Sequence, residues 1–317
     1  MRAIGASGLK LEGSREYAPG KLKKTMIQRF ALIIGAMKAG TTTIFDHLAQ
    51  HPHICGCSPK EPGFFAFDEV FARGRGWYEG LFDYDDGAHR WALDASTDYS
   101  KAPHADGVPA RLAAFGGEFR LIYSMRNPLR RIESHALHVQ HKRRELGRID
   151  SDRPDHSLDA GVSQISMNIC RYASQLDQYR DYFDRGAVFL TSTERLAADP
   201  GAVLGDICRF LDLDPALLPA EVTQRNAGDQ KWRAREIHPL WRFASSIAPL
   251  KAAAKAITPA GFRDRLRLKT RPQTSVEGRF KLTAAEETQI IAQLTPDLVR
   301  LRDEYGFDCA REWGVQL

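Results

Sequence analysis

Lys38 stands between two glycines in the run Gly35-Ala36-Met37-Lys38-Ala39-Gly40-Thr41-Thr42-Thr43, which follows the apolar stretch Phe30 to Ile34 and opens into a helical pattern. Residues of these types at a strand-to-helix junction make an anion site. A helix start presents unpaired backbone N–H groups and the positive end of the peptide dipoles, and glycines let the backbone come close to a phosphate. Lys38 adds a full charge, and Thr41, Thr42 and Thr43 add hydroxyl donors.

A second strand-to-helix corner follows the apolar stretch Leu121 to Met125, where Arg126-Asn127-Pro128 leads into another helical pattern. Asn127 suits the N-cap and Pro128 the first helical position. Leu129, Ile132, Ala136 and Val139 recur at helical spacing and predict one buried stripe, from which Ser134 points away. An arginine fork at the end of a strand can give a phosphate two charge-assisted bonds. Between the two sites lies Ser58-Pro59-Lys60-Glu61-Pro62-Gly63-Phe64-Phe65, where prolines after Ser58 and Glu61 bias both residues away from helix and predict a stiff, extended strip. Glu61 is expected on that loop rather than on a solvated helix face.

The placement of Lys38 separates this loop from its best-known relative. In the nucleotide triphosphatase pattern the lysine follows the second glycine and the next hydroxyl holds magnesium; here Lys38 precedes the second glycine, and Thr41 takes the lysine's place. The arrangement resembles the 5′-phosphosulfate loop of sulfotransferases that use 3′-phosphoadenosine 5′-phosphosulfate (PAPS). Arg-Asn-Pro followed after five residues by Ser134 resembles the 3′-phosphate segment of the same family, and Lys-Glu-x-x-Phe-Phe resembles a segment of heparan-sulfate-type sulfotransferases and their bacterial relatives. That family usually has histidine where this chain has Gly63. Less specific likenesses continue through Leu93 to Tyr99, Cys170 to Tyr172, Glu194 to Leu196, Asn226 to Arg233 and Leu301 to Trp313.

The resemblance implies an α/β fold, a P-loop-like parallel β-sheet flanked by helices in one domain, with PAPS as donor co-substrate and no metal. It implies Lys38 and Glu61 as catalytic residues. It implies donor contacts from Lys38, Ala39, Gly40, Thr41, Thr42, Thr43, Arg126, Ser134, Lys231 and Arg233, and acceptor contacts from Lys60, Phe64, Asp94 and Ser96. The acceptor would bear a hydroxyl, with a glycan or glycolipid first and a lipid, peptide or small metabolite as alternatives. Two other classes stay open on the residues alone. A P-loop kinase or nucleotide hydrolase would use Asp94, after an apolar run, as its magnesium aspartate; a non-catalytic relative would dock on a membrane or polyanion.

The elements that must position these residues are legible as apolar runs. Strands are expected at 30–34, 91–93, 119–125 and 187–191, each of the longer ones followed by a helical stretch, which predicts strand-helix units and a parallel sheet. A chain of 317 residues suits one sizeable domain, placed at 27–317, behind a flexible tail at 1–26 of Gly, Ser, Lys and Glu. No stretch reaches the roughly 20 apolar residues that cross a bilayer, and no secretion-type apolar core leads the chain, so a cytoplasmic protein is expected. Five cysteines without a C-x-x-C pair argue against a disulfide framework or zinc site. His51 and His53, either side of Pro52, are expected in a turn.

The net charge is +5, and it is uneven. Between Trp241 and Pro272 eight basic residues face Asp264 alone, interleaved with Trp241, Phe243, Ile247, Leu250 and Ile257. A solvated basic helical lobe, or a peripheral membrane contact at 241–272, fits this pattern. No nucleic-acid-binding module is recognisable, so no nucleic acid partner is expected.

Overall fold

The first strand, β1 (Arg29–Gly35), has an exposed arginine at its start and buried residues from there on. An unbroken apolar run belongs to a strand covered on both faces. In a computed structural model of the chain, describing residues 26–145, 164–219, 233–235, 273–275 and 281–315, β1 is the middle strand of a five-stranded sheet. Its neighbours are β3 (Trp91–Ala95) and β4 (Glu118–Met125), and β2 (Ile54–Gly56) and β5 (Val188–Ser192) form the edges. Every pairing in this sheet is parallel. The four expected strands are present; β2 was not anticipated, because three residues are too few to show a period.

Helix α1 (Thr41–Leu48) follows β1, and α2 (Asp68–Phe71) and α3 (Arg75–Glu79) lie between β2 and β3. Helix α4 (Val108–Phe115) precedes β4 and α5 (Pro128–Glu145) follows it. Helices α6 (Gln164–Cys170), α7 (Tyr172–Asp177) and α8 (Arg180–Asp184) lead to β5, which continues into α9 (Thr193–Ala198) and α10 (Pro200–Phe210). A separate antiparallel pair, β6 (Arg233–Arg235) with β7 (Gln273–Ser275), precedes α11 (Ala284–Tyr305) and α12 (Cys309–Trp313). Among the described residues, no helix is long and apolar enough to cross a membrane. The tail at 1–25, Lys231 and the basic 241–272 segment lie outside the described residues.

Strand order decides where a ligand can sit. From β1 the chain moves two places toward β2, whereas from β3 it crosses β1 to reach β4 on the other side. With right-handed crossovers these connections run over opposite faces, so the sheet has a switch point beside β1. Accordingly α1 packs on β3 and α10, and α5 packs on α6 and α11. The C-terminal ends of β1 and β4 are adjacent at this point, with Leu32 opposite Leu121 and Ile33 opposite Ile122.

The Glu61 loop is tied to the core through the residues that follow it. Phe64 and Phe65 are fully buried, Phe64 stacking on Tyr78 at 4.4 Å and Phe65 meeting Tyr78 edge-on at 5.1 Å. Each such side chain stabilises the fold by roughly 1.5–3 kcal/mol through burial, so the pair holds the loop that precedes it. Phe64, expected to touch an acceptor, is therefore an anchor in the aromatic core with no exposed surface.

Candidate active site

The first corner is a tight backbone turn. Lys38 and Gly40 both have left-handed conformations, φ 72° and 77°, and Gly40 is the N-cap of α1 with no side-chain cap and no acidic residue in the first turn. A helix start of this kind leaves its leading N–H groups for a bound anion. The turn is fastened from the sheet: the Ala36 N–H donates to the Ser124 carbonyl at 2.6 Å, and the Ser124 hydroxyl donates to the Ala39 carbonyl at 2.6 Å. Ala39 and Thr41 are buried, so what they offer a donor is their backbone; Thr42 and Thr43 are half-buried.

The second corner meets the first. Arg126, half-buried at the end of β4, donates from Nη1 to the Lys38 carbonyl at 3.2 Å. Asn127 caps α5 as expected, its Oδ1 accepting from the Leu129 N–H at 3.0 Å and the Arg130 N–H at 3.4 Å. Ser134 lies six residues along α5 from Pro128, about 9 Å at the rise of a helix, and is half-buried. The buried stripe of α5 is broader than its apolar residues indicate. Ile132 is buried and Leu129 packs against the core, but Arg131 is also fully buried, donating to Cys170 Sγ at 2.9 Å and Ser166 Oγ at 2.8 Å.

Residues far along the chain hold the second corner in place. Glu194 accepts from the Asn127 N–H at 3.1 Å and from Trp313 Nε1 at 3.1 Å, and the Trp313 carbonyl accepts from Asn127 Nδ2 at 3.4 Å. The Tyr172 hydroxyl donates to the Arg126 carbonyl at 2.7 Å. These supports escape sequence reasoning because no spacing links positions 127, 172, 194 and 313; the only signal is that each falls in a segment with a family likeness.

Between the corners and the sheet edge lies the Glu61 loop. The Glu61 side chain is 46% exposed, with Oε1 3.9 Å from Lys60 Nζ, and Lys60 Nζ donates to Thr42 Oγ1 at 2.8 Å. The strip is not extended throughout, since Glu61 takes φ 59°. The reason is the anchor two residues later: the Gly63 N–H donates to Ser96 Oγ at 3.0 Å and Phe64 turns into the core, so the chain must bend at Glu61. A non-glycine residue held there costs on the order of 1 kcal/mol or more and persists only where its surroundings impose it.

Asp94 and Ser96, expected at the acceptor, are both fully buried. Asp94 accepts from Ser96 Oγ at 2.8 Å on one oxygen, and from Tyr99 at 2.6 Å and Tyr78 at 3.0 Å on the other. Through Ser96 this carboxylate orients the Gly63 N–H, so both residues hold the Glu61 loop from beneath and neither has exposed surface to offer an acceptor. With both oxygens engaged by hydroxyls, Asp94 is also unsuited to hold magnesium, which removes the feature that favoured a kinase. Burial pushes the Asp94 carboxyl up to about 6, against the pull of its three hydroxyl bonds. The folded protein therefore holds this proton more tightly than the unfolded chain. The stability it contributes is complete below the ordinary value of 3.8 and is lost as pH rises through 6. Relative to Asp94→Asn, the protein's unfolding free energy should fall by about 2 kcal/mol between about pH 4.5 and about pH 7.5. Denaturant titration of both proteins measures this, and a difference growing with pH contradicts it.

The remaining expectations divide. His51 is buried, its Nδ1 accepting from the His53 N–H at 3.1 Å and its Nε2 facing the Asp214 carbonyl at 3.1 Å, so it is a neutral turn residue protonated on Nε2. Arg233 lies in β6, opposite Ser275; its side chain is not described, and Lys231 is outside the described residues. All five cysteines are buried thiols.

Residues 28–230 match the family model described as Sulfotransferase domain. Among curated proteins, the chain is 30% identical over 190 residues to human heparan sulfate glucosamine 3-O-sulfotransferase 3B1, covering 58% of this chain and 46% of that protein. It is 30% identical over 217 residues to human heparan sulfate glucosamine 3-O-sulfotransferase 6, covering 66% of this chain and 57% of that protein. The chain spans about half the length of the curated relatives it matches. Among solved structures, a sulfotransferase from Alicyclobacillus acidocaldarius shares the fold, with a TM-score of 0.50 and 24% identity over 74% of this chain and 99% of that one.

Proposed function

The chain belongs to the sulfotransferase domain family, and on that footing we propose that it moves a sulfuryl group from PAPS to an acceptor hydroxyl, leaving 3′,5′-bisphosphoadenosine. The observation that carries this reading is the bond from Arg126 to the Lys38 carbonyl at 3.2 Å. It sets the two corners, on adjacent parallel strands, side by side, which supports one nucleotide bearing phosphates at both ends as the donor. The residues fit such a donor: the uncapped start of α1 with Lys38 suits the 5′ end, and Arg126 with Ser134 suits the 3′-phosphate.

In this scheme Lys38 and the N–H groups of Gly40 to Thr42 neutralise the charge that builds on the bridging oxygen as the S–O bond opens. Glu61 takes the acceptor hydroxyl proton. The transferred group is flat and electron-poor, as in phosphoryl transfer, so positioning and charge account for most of the acceleration. The scheme calls on no metal. The acceptor class it favours is a glycan or glycolipid, supported by the names of the relatives and by a Glu61 loop open to solvent; Gly63 in place of the family's usual histidine weakens the transfer of their finer acceptor specificity to this chain.

Two measurements test the assignment. Radiolabelled PAPS incubated with the protein and fractionated cell extract should place label in carbohydrate-bearing material; label in peptides or small metabolites instead overturns the acceptor class. Arg126→Ala should weaken 3′,5′-bisphosphoadenosine roughly tenfold to a hundredfold, the worth of one charge-assisted contact, and should weaken a nucleotide lacking the 3′-phosphate less, by what the lost bond to the Lys38 carbonyl gives the first corner. Equal losses for both nucleotides in calorimetry contradict the placing of the 3′-phosphate.

A further inference from the structure

A full positive charge is buried one helical turn behind the second corner. The Arg131 N–H donates to the Asn127 carbonyl at 2.9 Å, which sets the residue in the opening turns of α5, and its side chain is fully buried. The guanidinium is held by neutral partners. Nε donates to Cys170 Sγ at 2.9 Å, and Nη2 donates to the Ser166 hydroxyl at 2.8 Å and to the Ser166 carbonyl. Burial pushes the Cys170 thiol up, against the pull of Arg131, so it is no counterion at neutral pH. Nη1 is buried with no hydrogen-bond partner.

The carboxylates around this corner are committed elsewhere. Glu133 and Glu287 pair with Arg130, and Glu194 accepts from the Asn127 N–H and from Trp313 Nε1. Among the described residues, none forms an ion pair with Arg131. A buried cation without an anion is costly, and arginine cannot shed its proton to escape the cost. The Arg131 charge also acts as a repulsion on Arg126, and the positive end of α5 adds to both. Three sources of positive potential thus converge on one corner, the one assigned to the donor's 3′-phosphate.

We propose that Arg131 strengthens the hold on the donor's 3′-phosphate through its charge, from behind the corner and without contact. The inference rests on the reading of the protein as a PAPS-dependent sulfotransferase. It gives Arg131 a part in donor selection, favouring a nucleotide with a 3′-phosphate over one without. Its field is little weakened by salt because the group is out of water.

Charge and hydrogen bonding at this position are separable. Arg131→Gln keeps a donor and loses the charge, whereas Arg131→Lys keeps the charge and gives up the planar fork. In calorimetry on the full chain, Arg131→Gln should bind 3′,5′-bisphosphoadenosine on the order of fivefold to thirtyfold more weakly, the effect of a unit charge about 10 Å from a phosphate at an effective dielectric constant of about 20. It should bind adenosine 5′-phosphate within about threefold of the unaltered protein. Arg131→Lys should keep the preference for the bisphosphate even where its thermal midpoint falls. Equal losses for the two nucleotides in Arg131→Gln, no loss for either, or a preference lost in Arg131→Lys as well, overturn the proposal and leave Arg131 as a fastening between α5 and α6. Should the glutamine variant not fold, the lysine variant decides by the same criterion. An unaltered protein that binds the two nucleotides equally contradicts the 3′-phosphate corner itself, which is a failure of the donor reading and not of Arg131 alone.

Discussion

Lys38→Ala is expected to lower turnover on the order of 10²–10³-fold, the usual cost of removing one preorganised group that stabilises developing charge, and to weaken PAPS as well. The effect should be chemical rather than structural. The corner is held by its backbone, through the bonds of Ala36 and Ala39 to Ser124 and of the Lys38 carbonyl to Arg126, and none of these uses the lysine side chain. The thermal midpoint should therefore stay close to that of the unaltered protein while activity collapses. Single-turnover transfer and calorimetry with PAPS check the two halves of this expectation; full turnover in the variant excludes Lys38 from the site.

Glu61→Gln should separate binding from chemistry. Glutamine keeps the shape of the side chain but cannot take the acceptor proton, so turnover is expected to fall on the order of 10²–10⁴-fold with PAPS affinity unchanged. The bend at Glu61 is imposed by the Gly63 to Ser96 bond and the buried Phe64, so the variant loop should keep its path. Normal transfer in this variant removes Glu61 as the base. A loss of donor affinity matching the loss of rate would instead place Glu61 with the donor, contrary to the proposed scheme.

The contrast between these two variants follows from how the site is divided. In the proposed scheme Lys38 acts where the leaving oxygen is held and Glu61 where the acceptor arrives, and Lys60 ties Thr42 of the first corner to the Glu61 loop. Asp94 governs the same loop from beneath, through Ser96 and the Gly63 N–H.

Much of the site was legible because its chemistry is local. The glycine-bracketed lysine, the Arg-Asn-Pro corner with its asparagine cap, and the Glu61 loop all depend on residues within a few positions of one another, where spacing and backbone preference act directly. The four longer strands were legible for the same reason, as apolar runs ended by turns. Phe64, Asp94 and Ser96 were misjudged as acceptor contacts because a motif records which residues occur together, not which way they face. Burial against Tyr78 and Tyr99 made them supports.

By itself, then, the sequence determined the two strand-to-helix corners, the loop that carries Glu61, and the class of fold that holds them, since each follows from backbone chemistry over short distances. Tertiary structure alone decided that β1 and β4 are neighbours, that Arg126 reaches the Lys38 carbonyl, and that Glu194 and Trp313 brace the second corner. The physical reason is that strand order and side-chain burial are settled by packing between segments tens to hundreds of residues apart, and no short-range preference encodes which of them will meet.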